Sequence, residues 1–172
     1  MALGRPDFRN LIALTSLSKR SNVPGMRSGF VAGDAALIRQ FLLYRTYHGS
    51  AMSPVVQSAS IAAWNDEEHV LANRARYREK FARITPLLSE VMDVALPDAG
   101  FYLWADVAGS DTAFARELYA LYNVTVLPGS FLAREVRGHN PGERRIRMAL
   151  VAESAECEEA ARRIVRFVRS RS

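Results

Sequence analysis

A single lysine stands in a short run of serine, arginine and glycine residues near the start of the chain. The run is SLSKRSNVPGMRSG, residues 16–29, and the lysine is Lys19. An unprotonated lysine amine forms a Schiff base with an aldehyde, and this bond makes lysine a covalent catalyst. The chain contains one other lysine, Lys80, which falls within a predicted helix. Lys19 is therefore the first candidate catalytic residue.

The residues around Lys19 are typical of a phosphate site. Ser16 and Ser18 offer hydroxyl donors, and Arg20 and Arg27 bring positive charge. A guanidinium fork matches the oxygens of a phosphate group. Two glycines are predicted to let the backbone bend tightly around the phosphate: Gly25 and Gly29. A Schiff-base lysine beside a phosphate site indicates pyridoxal phosphate as the cofactor.

Composition and charge narrow the class of protein. With 172 residues, 49% of them hydrophobic, the chain can bury a core as one domain or two small ones. It has neither a long apolar run nor a signal peptide, so we expect a cytoplasmic protein without a membrane partner. The net charge of +5 comes mostly from scattered arginines, and the densest group fits a solvated terminal helix. We therefore expect no nucleic-acid partner, and no metal site is predicted.

Hydrophobic periodicity predicts an α/β fold. The first part should contain strands at 11–15 and 29–33, a helix capped by Asp34, and a helix from Ser53 to Trp64 with Pro54 at its first position. Asn65 should cap one long helix, or two that meet at a kink at Pro86. The later segments predicted as strands are GFYLWADV, VTVL and RRIRMALV, with a capped helix at 110–123 and a final helix at 154–169. Cys157 lies on the apolar stripe of that last helix, which predicts a core residue and not a nucleophile.

The lysine run resembles the cofactor-attachment motif of class I/II aminotransferases of fold type I. The resemblance rests on Ser16-Leu17-Ser18-Lys19 followed by Gly25, Arg27 and Gly29. It implies that Lys19 carries pyridoxal phosphate, that Ser16 and Arg27 hold the phosphate, and that Ser18 is a weaker phosphate ligand. Ser28 stands where the family usually has an aliphatic residue, a small departure from the pattern.

Two later segments are similar to the same family. VTVLPGSFL resembles the segment in which members place a Pro-Gly-Ser turn near the substrate, and RRIRMALV resembles the strand whose arginine binds the substrate α-carboxylate. By this resemblance that arginine is Arg147, with Arg145 as the alternative on the same face. A bidentate guanidinium suits a planar carboxylate better than the point charge of a lysine.

The resemblance extends over nearly the whole chain and is strongest to bacterial succinyldiaminopimelate aminotransferases of lysine biosynthesis. It implies amino transfer from glutamate to a keto acid, N-succinyl-2-amino-6-ketopimelate, by a homodimer. Two other functions remain open. One is a different reaction on the same scaffold, such as a β-lyase or another amino-acid aminotransferase. The other is an aminotransferase-like sensor domain of a transcription regulator.

Some parts of the family pattern find no match before Lys19. Members place an aspartate for the pyridine nitrogen, a tyrosine and a stacking aromatic well upstream of the lysine, and Asp7 is too close to be that aspartate. The chain is therefore predicted to be the C-terminal part of such an enzyme and inactive alone. Its predicted parts are the end of the large cofactor domain, residues 1–65, a connecting helix, 66–92, and a small domain, 93–172.

Overall fold

The chain forms two compact units, and the lysine run lies in the first. A computed structural model describes residues 7–49 and 51–171, so residues 1–6 of the predicted cofactor domain and the last residue lie outside the described part. Unit 1 is Met1–Asn73 and unit 2 is Arg74–Ser172. The boundary falls within one long helix, and the three-part division drawn from the sequence stays a prediction.

Unit 1 begins with a hairpin. Strand β1, Ile12–Ser16, pairs antiparallel with β2, Gly29–Gly33, in a register that places Ser16 opposite Gly29. The connection contains α1, Leu17–Arg20, and a 3-10 turn, Pro24–Met26. The two strands agree with the sequence prediction within one residue.

Three helices follow, and each begins where a side chain accepts hydrogen bonds from its first turn. Helix α2, Ala35–Tyr47, is capped by Asp34, and α3, Pro54–Asn65, is capped by Ser53. Helix α4, Glu68–Ser89, continues through Pro86. The prediction that Asn65 caps α4 is wrong, because α3 includes Asn65 and the carboxylate of Asp66 accepts from the N–H groups of Glu68 and His69.

Unit 2 is an antiparallel sheet with two further helices. The order is β3, Asp93–Val94, then β4, Tyr102–Asp106, then β6, Arg145–Ala149, then β5, Leu127–Pro128. The helices are α5, Asp111–Tyr122, and α6, Ser154–Arg169. The predicted strand over VTVL is mostly wrong, because only Leu127 of that segment pairs with β6. The α/β class itself is confirmed.

The apolar core of unit 2 forms between one face of the sheet and its helices. On β4 the buried side chains are Leu103 and Ala105, and on β6 they are Ile146 and Met148, so alternate residues face the core. Helix α6 covers this face with Phe167 and with Cys157, whose core position is confirmed. Desolvation by burial raises the pKa of the Cys157 thiol, which keeps it protonated and unreactive.

Unit 1 buries far less apolar surface in its described part. Its buried apolar side chains there are Leu17 and Val70. Several large side chains of the hairpin and α2 are exposed: Leu14, Phe30, Leu42, Leu43, Tyr44 and Tyr47. Among the described residues of the whole chain, no helix is both long enough and apolar enough to cross a membrane.

This difference in burial predicts a difference in local stability. Local opening requires little free energy where few apolar contacts are broken. Backbone amides of β1 and β2 should therefore exchange with deuterium faster than those of β4 and β6, as measured by hydrogen-exchange mass spectrometry of the native chain. Equal protection of the two strand pairs would contradict this expectation.

Candidate functional site

The chain reaches Lys19 through the last residue of β1 and one turn of helix. Leu17 starts this turn with a fully buried side chain, and its N–H donates to the carbonyl of Ser28 over 3.0 Å. The Leu17 carbonyl then accepts from the N–H of Ser21, also over 3.0 Å. Leu17 thus fixes the start of α1, while the side chain of Lys19 is exposed.

The hairpin register brings Arg27 to the same end as Ser16. Ser16 lies opposite Gly29 in the ladder, and Arg27 precedes Gly29 by two residues. Gly29 is required there, because a Cβ atom on it would stand 2.4 Å from the carbonyl oxygen of Thr15. Four predicted site residues consequently share one end of the β1–β2 hairpin: Ser16, Ser18, Lys19 and Arg27.

The turn carries its left-handed backbone at residues other than the glycines. Asn22 and Arg27 have φ values of 55° and 50°, whereas Gly25 and Gly29 are not left-handed. Gly29 therefore serves the tight bend through its close approach to Thr15 and not through a left-handed backbone, whereas no described atom lies within 4 Å of a Cβ built on Gly25. The side chain of Arg27 curls back, and its Nη1 donates to the carbonyl of Pro24 over 2.9 Å.

The donor set at this end of the hairpin fits the phosphate of pyridoxal phosphate. Ser16 occupies the position before α1, yet its hydroxyl caps no N–H of that helix. Ser16 and Ser18 are half-buried, and neither hydroxyl has a hydrogen-bond partner among the residues that the structure describes. The guanidinium of Arg27 has donors beyond the one used by Pro24. Two hydroxyls and one guanidinium can therefore turn to a phosphate.

Arg20 has a different role from the one its sequence position suggests. Its guanidinium donates to the carbonyl oxygens of Ala63 and Trp64 at the end of α3, and its Nη2 lies 2.7 Å from a carboxylate oxygen of Glu67. Arg20 does bring positive charge, but its guanidinium is paired with Glu67 and donates to the end of α3.

The one departure from the family pattern has a local explanation. Ser28 is buried, and its hydroxyl lies 2.7 Å from the hydroxyl of Ser60 on α3. Ser60 in turn donates to the carbonyl of Val56 over 2.6 Å. A buried hydroxyl is costly only when it has no partner. Ser60 therefore offsets the cost of burying the Ser28 hydroxyl. No local sequence pattern could reveal this contact, because the two residues are 32 positions apart.

Arg147, the residue predicted to bind the substrate carboxylate, lies in unit 2 on the face of β6 away from the core. It is opposite Trp104 on β4 and Leu127 on β5, and its guanidinium carbon lies 5.4 Å from the centre of the Tyr102 ring. Its Nε is buried without a hydrogen-bond partner among the described residues. An unpaired buried donor costs free energy until an acceptor binds, so Arg147 suits an anionic ligand.

The alternative, Arg145, already has an acidic neighbour. Its guanidinium lies 3.8 Å from a carboxylate oxygen of Asp106, and Arg144 contacts the other oxygen over 3.3 Å. The N–H of Ala108 and these two arginines hold the pKa of Asp106 below its usual value. Asp106 therefore remains charged, and Arg147 is the better candidate of the two.

A buried carboxylate organises the Pro-Gly-Ser turn that follows β5. Asp111 accepts from the N–H of Ser130 over 2.7 Å, and the side chain of Asn140 donates to the carbonyl of Ser130 over 3.1 Å. Gly129 and Gly142 approach so closely that a Cβ on either would overlap the carbonyl oxygen of the other. Asp111 and Asn140 were missed in the sequence, because these contacts join separate elements.

Comparison with known proteins identifies the family. Residues 4–164 match the family described as aminotransferase class I and II. The chain belongs to this family. Its members depend on pyridoxal phosphate.

The relatives are longer proteins. The chain is 33% identical to a probable aminotransferase, Rv1178, from Mycobacterium tuberculosis, with 92% of this chain and 36% of that protein covered. It is 36% identical to the 4-dedimethylamino-4-oxo-anhydrotetracycline transaminase OxyQ of Streptomyces rimosus, with 90% and 41% covered. The chain thus spans about two fifths of the length of the curated relatives that it matches.

Solved structures show the same fold. An aminotransferase from Neisseria meningitidis is 60% identical with a TM-score of 0.88, and the match covers 96% of this chain and 42% of that one. A probable N-succinyldiaminopimelate aminotransferase from Thermus thermophilus is 29% identical with a TM-score of 0.77, covering 94% and 43%. The predicted fold-type I class is confirmed for the matched portion.

The left-handed backbone of Arg27 leads to a stability prediction. An L-residue in this conformation costs about 1–2 kcal/mol, and glycine avoids that cost but adds about 0.5–1 kcal/mol of unfolded-state freedom. Arg27→Gly and Arg27→Ala both lose the Nη1 hydrogen bond to Pro24, so Arg27→Gly should be the more stable of the two by up to about 1.5 kcal/mol. Arg27→Val should be the least stable of the three variants, because a β-branched residue resists positive φ. Urea unfolding measures all three, and an Arg27→Gly variant that is less stable than Arg27→Ala would contradict this expectation.

Proposed function

We propose that this chain provides the cofactor lysine, the phosphate ligands and the substrate arginine of a pyridoxal-phosphate-dependent aminotransferase. The observation that carries the proposal is the placement of Ser16, Ser18, Lys19 and Arg27 at one end of the β1–β2 hairpin. Family membership supports it, and the arrangement can hold an aldehyde cofactor through its phosphate while a lysine amine lies in the same short segment.

Each residue at the hairpin end has a distinct role in this proposal. Ser16 and Arg27 bind the phosphate, with Ser18 as a further hydroxyl donor. Lys19 Nζ would hold the aldehyde carbon of the cofactor, and its free amine would serve as the base that accepts the proton from the substrate Cα. When bound, pyridoxal phosphate withdraws electrons from that carbon and so makes its proton removable.

Arg147 completes the proposal on the substrate side. Its guanidinium would bind the substrate α-carboxylate, and the ring of Tyr102 beneath it limits the directions in which its side chain can turn. Because Arg145 is paired with Asp106, it competes less with Arg147 for the substrate carboxylate. The α-carboxylate is common to all amino-acid substrates, so Arg147 contributes orientation and not discrimination.

For the substrate pair we propose glutamate and the keto acid N-succinyl-2-amino-6-ketopimelate, used in making diaminopimelate and lysine. The motif resemblance and the Thermus thermophilus relative support this choice. The OxyQ relative is named for a different substrate, so a panel of keto acids is the appropriate test. Faster turnover with another keto acid would replace the substrate while leaving the reaction class intact. A cytoplasmic homodimer belongs to the same proposal.

The assignment of Lys19 predicts a selective covalent reaction. When the chain is incubated with pyridoxal phosphate and reduced with borohydride, the phosphopyridoxyl label should appear on Lys19 in preference to Lys80. Lys80 is an internal control, because its Nζ donates to the carbonyl oxygens of Leu150 and Ala152. Peptide mass spectrometry gives the ratio of the two labelled lysines.

Two controls separate the phosphate ligands from simple exposure of the lysine. Pyridoxal, which lacks the phosphate, should show a weaker preference for Lys19, and so should pyridoxal phosphate with the Arg27→Gly variant. Equal labelling of Lys19 and Lys80, or label retained in full with pyridoxal, would contradict the phosphate assignment.

The assignment of Arg147 predicts a loss of substrate binding. In the whole protein Arg147→Lys should leave cofactor binding nearly intact and raise the substrate dissociation constant about thirtyfold, equivalent to about 2 kcal/mol for one bidentate pair. Arg145→Lys is the matched control and should have little effect. Steady-state kinetics with varied glutamate measure the change, and the reverse order of the two variants would move the role to Arg145.

A further inference from the structure

We infer that Arg20 is a positioning residue for Lys19, acting by fastening α1 to the end of α3. The inference rests on the proposed function of Lys19. Arg20 follows Lys19 directly in the chain, and its side chain is only 16% exposed although it carries a charge. Its contacts all lie within unit 1.

The guanidinium of Arg20 joins two segments more than forty residues apart. Nη1 donates to the carbonyl of Ala63 over 2.8 Å, and Nη2 donates to the carbonyl of Trp64 over 3.3 Å. These carbonyls belong to the last turn of α3, where helix carbonyls have no intrahelical donor. A cation at this end also suits the helix dipole. The attachment therefore satisfies groups that would otherwise need water.

Two further contacts orient the same guanidinium. Nη2 lies 2.7 Å from Glu67 Oε2, and the guanidinium carbon lies 4.9 Å from the centre of the Trp64 ring. The Trp64 ring in turn contacts the Phe30 ring on β2, with 4.9 Å between centroids. Arg20 is thus held by a carboxylate, by two carbonyls and by an aromatic face that is itself packed on the hairpin.

The geometry of a single helical turn converts this attachment into control of Lys19. Leu17 and Arg20 are three residues apart and lie on the same side of α1. Leu17 is fully buried and Arg20 is fastened to α3, so that side is fixed at both ends of the turn. At about 100° per residue, Lys19 then points away from the fixed side. Without the Arg20 contacts, a one-turn helix could rotate or unwind.

A lysine could not replace Arg20 in this role. The contacts need two nitrogens of a planar fork to reach two carbonyls and a carboxylate together. Arg20→Lys retains the charge near the end of α3 and loses the fork, whereas Arg20→Ala loses both. Arg39 on α2 is exposed, and Arg39→Ala gives the same change in net charge as a control.

The test is the Lys19-to-Lys80 labelling ratio with pyridoxal phosphate and borohydride, measured at a temperature at which circular dichroism shows each variant folded. Arg20→Ala should lower the ratio on the order of tenfold, since small misplacements of a reacting group have large kinetic effects. Arg20→Lys should recover less than half of the loss, and Arg39→Ala should match the wild type. If Arg20→Ala does not fold, Arg20→Lys provides the same comparison.

The outcomes distinguish this inference from the proposed function. Absence of a Lys19 preference in the wild-type chain overturns both. A wild-type preference that is unchanged in folded Arg20→Ala, or fully restored in Arg20→Lys, overturns the positioning role alone. A purely stabilising role for Arg20 would lower the melting temperature without changing the ratio in the folded state, so that result also overturns the inference.

Discussion

A helix of one turn cannot hold itself together, yet this one must present the lysine. Closing the first turn fixes several backbone dihedrals for one hydrogen bond, so α1 depends on contacts outside itself. The buried side chain of Leu17 provides one contact and the backbone bond from Leu17 to Ser28 provides another. The hydrogen bond from Leu17 to Ser28 also fixes where β2 begins, at Gly29, so the placement of the other residues at this end of the hairpin depends on it.

The β6 site depends on the alternation of a strand. Burial of Ile146 and Met148 against α6 and α5 obliges the residues between and before them to face the other way. This places two arginines on the face away from the core, Arg145 and Arg147, and Asp106 on the paired strand lies opposite Arg145 and not Arg147. A one-residue shift of register would exchange core and surface residues along the whole strand. Sheet register therefore decides which arginine remains available.

Sequence reasoning succeeded where the deciding interaction is local and failed where it is not. The caps Asp34, Ser53 and Ser110 accept from N–H groups two or three residues ahead, so their helices could be predicted from the sequence alone. The α4 cap was misplaced by one residue because Asn65 and Asp66 are both good caps. The fastening of Arg20 to Ala63 and the support of Ser130 by Asp111 link distant elements, and no periodicity encodes them.

Contacts with α3 and within the turn explain how the β1–β2 hairpin tolerates two residues that each cost folding free energy. Arg27 adopts a left-handed backbone and Ser28 buries a hydroxyl, and these residues are adjacent. The hydroxyl of Ser60 provides a hydrogen-bond partner for the buried Ser28 hydroxyl. Hydrogen bonds from the N–H and Nη1 of Arg27 to the carbonyl of Pro24 stabilise the left-handed backbone of Arg27. Strained backbone persists only where surrounding contacts determine it, and here both α3 and the turn itself supply them. Helix α3 thus supports both sides of the lysine run: Ser60 contacts the β2 side, and the carbonyl groups of Ala63 and Trp64 hold the α1 side.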